Sequence, residues 1–202
     1  LSKSQRDARI RELDTLAADA PRVILATGRL VGEGFDHPAL DTLILATGFA
    51  TTKFLSAIDV RGRGGVSIAD AWSDGAQAYK GVTTAGFPNL FMLYGPNTNS
   101  DSIITMIEYQ ADHVLRQIER IAREDLAWID VKPVAMAEYN ETLQRDIATI
   151  GLWQAGCTDY YRAPGGRVVT QWPRSMRALE DALSSLDEDA YESAPAPARA
   201  SD

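Results

Sequence analysis

The chain of 202 residues reads as an α/β fold with an incomplete parallel sheet and a helical C-terminal section. Three observations predict it. Short apolar runs recur at Val23 to Ala26, Leu43 to Ala46 and Leu90 to Tyr94, each closed by a glycine-containing turn, which is the pattern of buried strands. The third run leads through Gly95-Pro96-Asn97 and a polar stretch into Ile103, Ile104, Ile107, Ala111, Val114, Leu115, Ile118 and Ile121, a helical spacing. A further helical pattern starts at Pro133, and 45% hydrophobic residues suffice for a real core.

The elements follow in order. Ile10, Leu13, Leu16 and Ala17, with Arg and Asp between them, predict an amphipathic helix over 4–20 that Pro21 breaks. Ile-Leu-Ala-Thr-Gly then occurs twice, ending at Gly28 and Gly48, and implies two strands with similar turns; two copies do not make a solenoid. Arg61-Gly62-Arg63-Gly64-Gly65 is a turn-rich break, and the segment from Ile68 and Trp72 to Thr84 reads as irregular structure over the sheet. Helices are predicted from about Ser102 to Arg123, from Pro133 through Met136, Tyr139, Leu143 and Ile147 to about Leu152, and over 174–184. Between the last two lie a glycine-punctuated stretch, a short Val168-Val169 strand and a Trp172-Pro173 turn. The acidic, Pro- and Ala-rich residues 184–202 are expected to be disordered. The domain reading is therefore 1–42, 43–183 and a tail of 184–202.

A net charge of −8 argues against a nucleic-acid partner. One cysteine, Cys157, excludes an internal disulfide framework, and with only two histidines no His/Cys metal site is expected. No apolar run reaches the roughly 18–20 residues of a membrane span, and the charged start carries no secretory h-region, so a cytoplasmic protein is expected. His113 reads as a partly buried helix residue, and the four tryptophans as packing residues.

The candidate site is the stretch from Gly86 to Thr98 and the helix after it. A helix N-terminus just beyond the carboxyl end of a strand offers free N–H groups and a positive dipole end to an acceptor-rich ligand. Gly95 permits close backbone approach, Pro96 fixes the turn, and Asn97, Thr98 and Ser102 carry hydrogen-bonding groups. The plainer alternative is a strand-to-helix connection with an Asx cap. Arg167 and Arg174 are candidates for a phosphate or for surface pairing.

From about Asp41 to Arg177 the sequence resembles the C-terminal part of flavin-dependent monooxygenases of the Baeyer–Villiger and flavin-containing kind. The resemblance rests on an ordered set: Leu43 to Phe49, Arg61 to Gly65 followed by Trp72, Gly86 to Thr98, Ser102 to Glu108, Gly156-Cys157, and Gly166-Arg167 with Trp172-Pro173. It implies a partial Rossmann-like sheet of the FAD/NAD(P)-binding type, FAD and NADPH as cofactors, and a small organic substrate. In such enzymes reduced flavin and O₂ give a peroxyflavin that inserts one oxygen atom into a ketone or another substrate. The resemblance puts Thr47 and Gly48 where the chain crosses between nucleotide domains, Gly95, Pro96, Asn97, Thr98 and Ser102 on the flavin side, and Met106 near cofactor or substrate, with a core methionine as the alternative for Met106.

Departures matter too. The 202 residues contain no Gly-x-Gly-x-x-Gly loop for either dinucleotide, and Gly62-Arg63-Gly64-Gly65-Val66-Ser67 has the wrong spacing for one. Cys157 precedes Thr158-Asp159-Tyr160-Tyr161 where the family has an aromatic pair including Trp. Catalysis by this chain alone is therefore not expected, and an uncovered sheet edge is expected to favour self-association. Residues 20–45, with Gly32-Glu33-Gly34-Phe35-Asp36, are similar to a second-lobe segment of superfamily 2 helicases, which implies a joined-gene origin meeting at Leu43 to Gly48. A helicase-like ATPase fragment and a non-catalytic interaction module are the rival functions.

Overall fold

The computed structural model describes residues 25–27, 43–46, 54–55, 58–151 and 161–197. The helix expected over 4–20, Thr47, Gly48, Cys157 and most of the helicase-like segment lie outside them. Strands β1 (Leu25–Thr27), β2 (Leu43–Ala46) and β3 (Leu90–Leu93) form a parallel sheet in that order, with Leu25 opposite Ile44 and Leu43 opposite Leu90. All four residues of β3 are buried, as a strand covered on both faces requires. Phe91 and Leu93 join one apolar cluster, while Leu90 and Met92 join a second with Leu55, Ile68, Trp72 and Phe87.

Helix α1 (Ile68–Ala71) is a single turn capped by Ser67, whose Oγ accepts the Asp70 N–H. The main cluster is built by α2 (Ile103–Arg123), strand β4 (Leu126–Val131), α3 (Pro133–Ala148) and α4 (Met176–Ser184). Met106, Val114, Ile129, Leu143, Ile147, Leu179 and Leu183 meet there almost fully buried, with Trp172 and Tyr191. Pro133 occupies the first turn of α3, where its missing N–H has no helical partner to lose. Near the start of that helix the Met136 thioether accepts the Ala85 N–H at 3.3 Å and the Thr84 hydroxyl at 3.6 Å.

Three sequence expectations need correction. Residues 184–202 were expected to be disordered, yet a 3₁₀ turn at Glu188–Ala190 leads into β5 (Tyr191–Pro195), which pairs antiparallel with β4 from Val131–Tyr191 to Leu126–Pro195. Composition misleads here because one aromatic, Tyr191, is inserted into the core, and a neighbouring strand supplies the backbone partners. A small antiparallel sheet thus joins the parallel one. Val168-Val169 is not a strand: Val168 makes an isolated bridge with Arg162, and the following residues lie beside 97–99.

The third correction concerns the inner face of α2, where Ile107, Ala111, Val114, Ile118 and Ile121 pack on the main cluster as their spacing predicts, but polar side chains lie among them. Its buried residues are Met106, Gln110, His113, Val114, Gln117 and Arg120, whereas Ile104 and Leu115 are exposed, at 73% and 50%. Polar groups occupy the inner face because carbonyls and N–H groups of neighbouring loops end there and require partners. His113, Arg116 and Gln117 donate to the carbonyls of Leu183, Ser184 and Leu186, which close the C-terminal end of α4.

Candidate active site

Beyond the carboxyl end of β3 the backbone takes a strained course. Tyr94 and Asn97 have φ of 58° and 57°, in the left-handed region that a bulky side chain such as tyrosine rarely enters. Local bonds hold it there: the Tyr94 N–H donates to Gln110 Oε1 at 2.7 Å, and its hydroxyl donates to Asn99 Oδ1 at 2.9 Å. Gly95 is required by a close approach, since a Cβ there would lie 2.3 Å from the Gly81 carbonyl oxygen. The group approached is the chain's own Lys80-Gly81 turn.

The side chains of this turn point inward. The Asn97 N–H donates to the Val169 carbonyl at 2.8 Å, and its Nδ2 donates to the carbonyls of Val168 and Gln171 at 3.0 and 3.1 Å. Thr98 Oγ1 donates to the Gly95 carbonyl at 2.7 Å. Both residues are buried, and in this structure their donors are used within the chain, on carbonyls that would otherwise be unpaired. Asn97 Oδ1 is buried without a partner among the described residues, as is Thr170 Oγ1. Met106 is fully buried in the main cluster.

Ser102 is the N-cap of α2, its Oγ accepting the Thr105 N–H at 3.4 Å. That leaves the N–H groups of Ile103 and Ile104 without intrahelical partners, beside side chains 45% and 73% exposed. The turn thus presents a positive helix end flanked by an apolar shoulder, an arrangement that suits a flat, partly anionic ring. Gln110 is the residue that sequence reasoning missed. Its signal is a glutamine at helical spacing between Met106 and His113, on the face that proves to be buried.

A second polar cluster lies behind the first. Lys80, with its side chain 5% exposed, pairs with Asp187 at 2.6 Å, and the Tyr79 hydroxyl donates to the same carboxylate at 2.8 Å. Burial alone would raise the Asp187 pKa, but hydrogen bonds from Lys80, Ser185 and Tyr79 outweigh it and hold the carboxyl below its usual range. Burial lowers Lys80, and Asp187 opposes that shift. His113 is pushed down to about 4, chiefly by burial, against the pull of the Leu183 carbonyl that its Nδ1 contacts at 2.8 Å. Burial pushes Asp130 up to about 6, against Arg63 and the N–H of Gly86. Arg167 is held by Asn140 Oδ1 and Arg174 by Asp146, so each candidate phosphate ligand has a partner within the chain. An open cleft of about 350 Å³ beside Tyr79, Tyr139 and Arg174 is lined by none of the turn residues.

No family model matches the chain. Individual proteins do. The chain is 36% identical over 169 residues to an FAD-binding monooxygenase, ktnD, of Aspergillus niger, which covers 81% of this chain and 28% of that protein. It is 37% identical over 181 residues to a Baeyer–Villiger monooxygenase of Pseudomonas aeruginosa, covering 88% of this chain and 34% of the relative. The chain is homologous to the C-terminal part of flavin-dependent monooxygenases. It spans about a third of the length of the curated relatives it matches. Its fold agrees with a cyclohexanone monooxygenase from Rhodococcus sp. Phi1 solved with NADP+, at a TM-score of 0.65 and 27% identity over 78% of this chain and 31% of that one. With 88% of the chain aligned to the Pseudomonas monooxygenase, the similarity must extend well into residues 1–42, and the helicase resemblance gains no support.

Proposed function

We propose that this chain contributes the flavin-ring side of an FAD- and NADPH-dependent monooxygenase that inserts one oxygen atom from O₂ into a ketone or another small organic substrate. The observation that carries the reading is the strained Tyr94–Asn97 turn, which opens the N-terminus of α2 at the carboxyl end of a parallel strand, in a homologue of Baeyer–Villiger monooxygenases. The parallel strands are read as part of a Rossmann-like sheet, whose ligands sit beyond the carboxyl ends of its strands. Bound flavin supplies the electrons that activate O₂. The chain's part is to hold the ring edge with the N–H groups of Ile103 and Ile104, to shape the contact through Gly95 and Pro96, and to shield it with the Ile103–Ile104 shoulder. Asn97, Thr98 and Ser102 act by fixing that turn, and Met106 by filling the core beneath it.

Because the 202 residues include no dinucleotide-binding loop, this stretch by itself is expected neither to retain FAD nor to turn over. The edge of β1, the outermost strand of its sheet among the described residues, is proposed as a route to self-association, to be read by gel filtration across a concentration series. The functional test replaces the matching third of the Pseudomonas monooxygenase with this chain. A yellow chimera that retains FAD through gel filtration and oxidises NADPH in a ketone-dependent manner supports the reading. A folded chimera that carries no FAD overturns it.

A further inference from the structure

The Tyr94–Thr98 turn does not stand on its own sequence. It leans on a second turn, Tyr79 to Thr83, closed by the Tyr79 N–H donating to the Thr83 carbonyl at 2.7 Å, with Lys80 and Gly81 both left-handed at φ of 53° and 70°. A Cβ on Gly81 would lie 2.0 Å from Thr98 Cγ2 and 3.1 Å from the Pro96 carbonyl oxygen, so the tip of this turn sits directly under the candidate site. Gln110 ties the two together, accepting from the Tyr94 N–H while its Nε2 reaches the Gly81 carbonyl at 3.4 Å.

The C-terminal segment grips the supporting turn at three residues. Lys80 Nζ donates to the Ser185 carbonyl at 2.9 Å and pairs with Asp187; the Tyr79 hydroxyl donates to Asp187; Thr83 Oγ1 and the Tyr191 hydroxyl are 3.1 Å apart. Asp187 is itself left-handed, at φ 45°, with its N–H donating to Ser185 Oγ at 3.2 Å. A nearly buried ammonium whose carboxylate is removed is left uncompensated, so this contact has little freedom to loosen by small steps.

We propose that Lys80 and Asp187 are positioning residues for the Tyr94–Thr98 turn, acting through Gly81, so that the C-terminal segment 185–191 sets the geometry of the candidate cofactor contact from behind. The coupling rests on the functional reading only for what the turn presents to a ligand.

Amide hydrogen exchange on the 202-residue chain tests it. The reporters are the N–H groups of Tyr94, Asn97 and Asn99, each with a named acceptor in Gln110, Val169 or Thr170. Asp187→Asn is expected to speed exchange at these amides about tenfold while the amides of Leu143 and Ile147 in α3 keep their rates. Tyr191→Phe, which removes only the hydroxyl facing Thr83, is expected to give a smaller rise at the same amides, and Asp187→Glu to restore most of the protection. Unchanged rates at 94–99, or a rise shared equally by α3, overturns the proposal. Should Asp187→Asn prove insoluble, Tyr191→Phe and Ser185→Ala are read by the same criterion. Failure of the functional reading appears elsewhere, as a folded unmutated chimera without FAD, and leaves the exchange pattern intact.

Discussion

The Tyr94–Thr98 turn and the C-terminal segment 185–197 are both irregular stretches that hold a neighbour in place, yet they announce themselves very differently. The turn is written locally, in a glycine, a proline and an asparagine after four apolar residues. The segment has a disordered composition and still forms a strand, because its ordering comes from β4, from Lys80 and from the pocket that takes Tyr191. The turn is announced by its own residues even though Gln110 and Gly81 help to hold it; a docked segment is announced only by what waits for it.

The largest effects should come from the contact between the two glycine turns. Gly95→Ala and Gly81→Ala each place a methyl inside van der Waals contact, and at Gly81 also in a left-handed conformation, so each should cost about 3 kcal/mol or more in urea unfolding. Thr98→Ser, by removing the methyl that a Gly81→Ala side chain would strike, should recover part of that loss. Next comes Tyr191→Ala, expected to cost about 3 kcal/mol as the loss of a buried aromatic. A cost below about 0.5 kcal/mol would return 185–197 to the disordered class and break the comparison.

Two buried titrating groups then act in opposite directions. His113, lowered to about 4 in the folded chain from an ordinary 6.5, is neutral there while the unfolded chain binds a proton, so its share of stability is lost as the pH falls from about 6.5 to 4. Asp130, raised to about 6 from 3.8, keeps its proton in the folded chain longer than in the unfolded one, so stability falls as the pH rises from about 4 to 6. Urea midpoints across pH 4–7 should therefore show a shallow profile, which His113→Gln tilts downward with rising pH and Asp130→Asn tilts upward. The smallest effect is expected at the half-exposed Arg174–Asp146 pair, where Arg174→Ala should cost less than about 1 kcal/mol.

Much of the sheet was legible because β3 is a continuous apolar run between turn signals, and α2 and α3 were legible from a cap and a proline. The inner face of α2 was not. His113 reads as partly buried, but Gln110, Gln117 and Arg120 look like a solvent face until the carbonyls of Gly81 and Leu186 and the N–H of Tyr94 are known to end against it, and that is tertiary information. Strand β4 was missed for a related reason, since Leu126 to Val131 alternates poorly and takes its identity from Tyr191 to Pro195. At the candidate site the turn was legible from its motif, and the direction of its side chains was not. Asn97 and Thr98 look like ligand-binding groups by type, and only the nearby carbonyls of Val168, Gln171 and Gly95 show where their donors are used.

The sulfur of Met136 has a consequence for storage and handling. It receives the Ala85 N–H and the Thr84 hydroxyl, and Trp72 donates in turn to Thr84, so a soft acceptor ends a short chain of hydrogen bonds. Peroxide that converts this thioether to a sulfoxide would set a larger, polar oxygen among groups spaced for sulfur, and methionine sulfoxide reductase would be needed to undo it. A chain related to oxygen-activating enzymes thus carries an oxidation-sensitive atom in its own scaffold, and reducing conditions belong in any preparation whose Trp72 fluorescence is to be trusted.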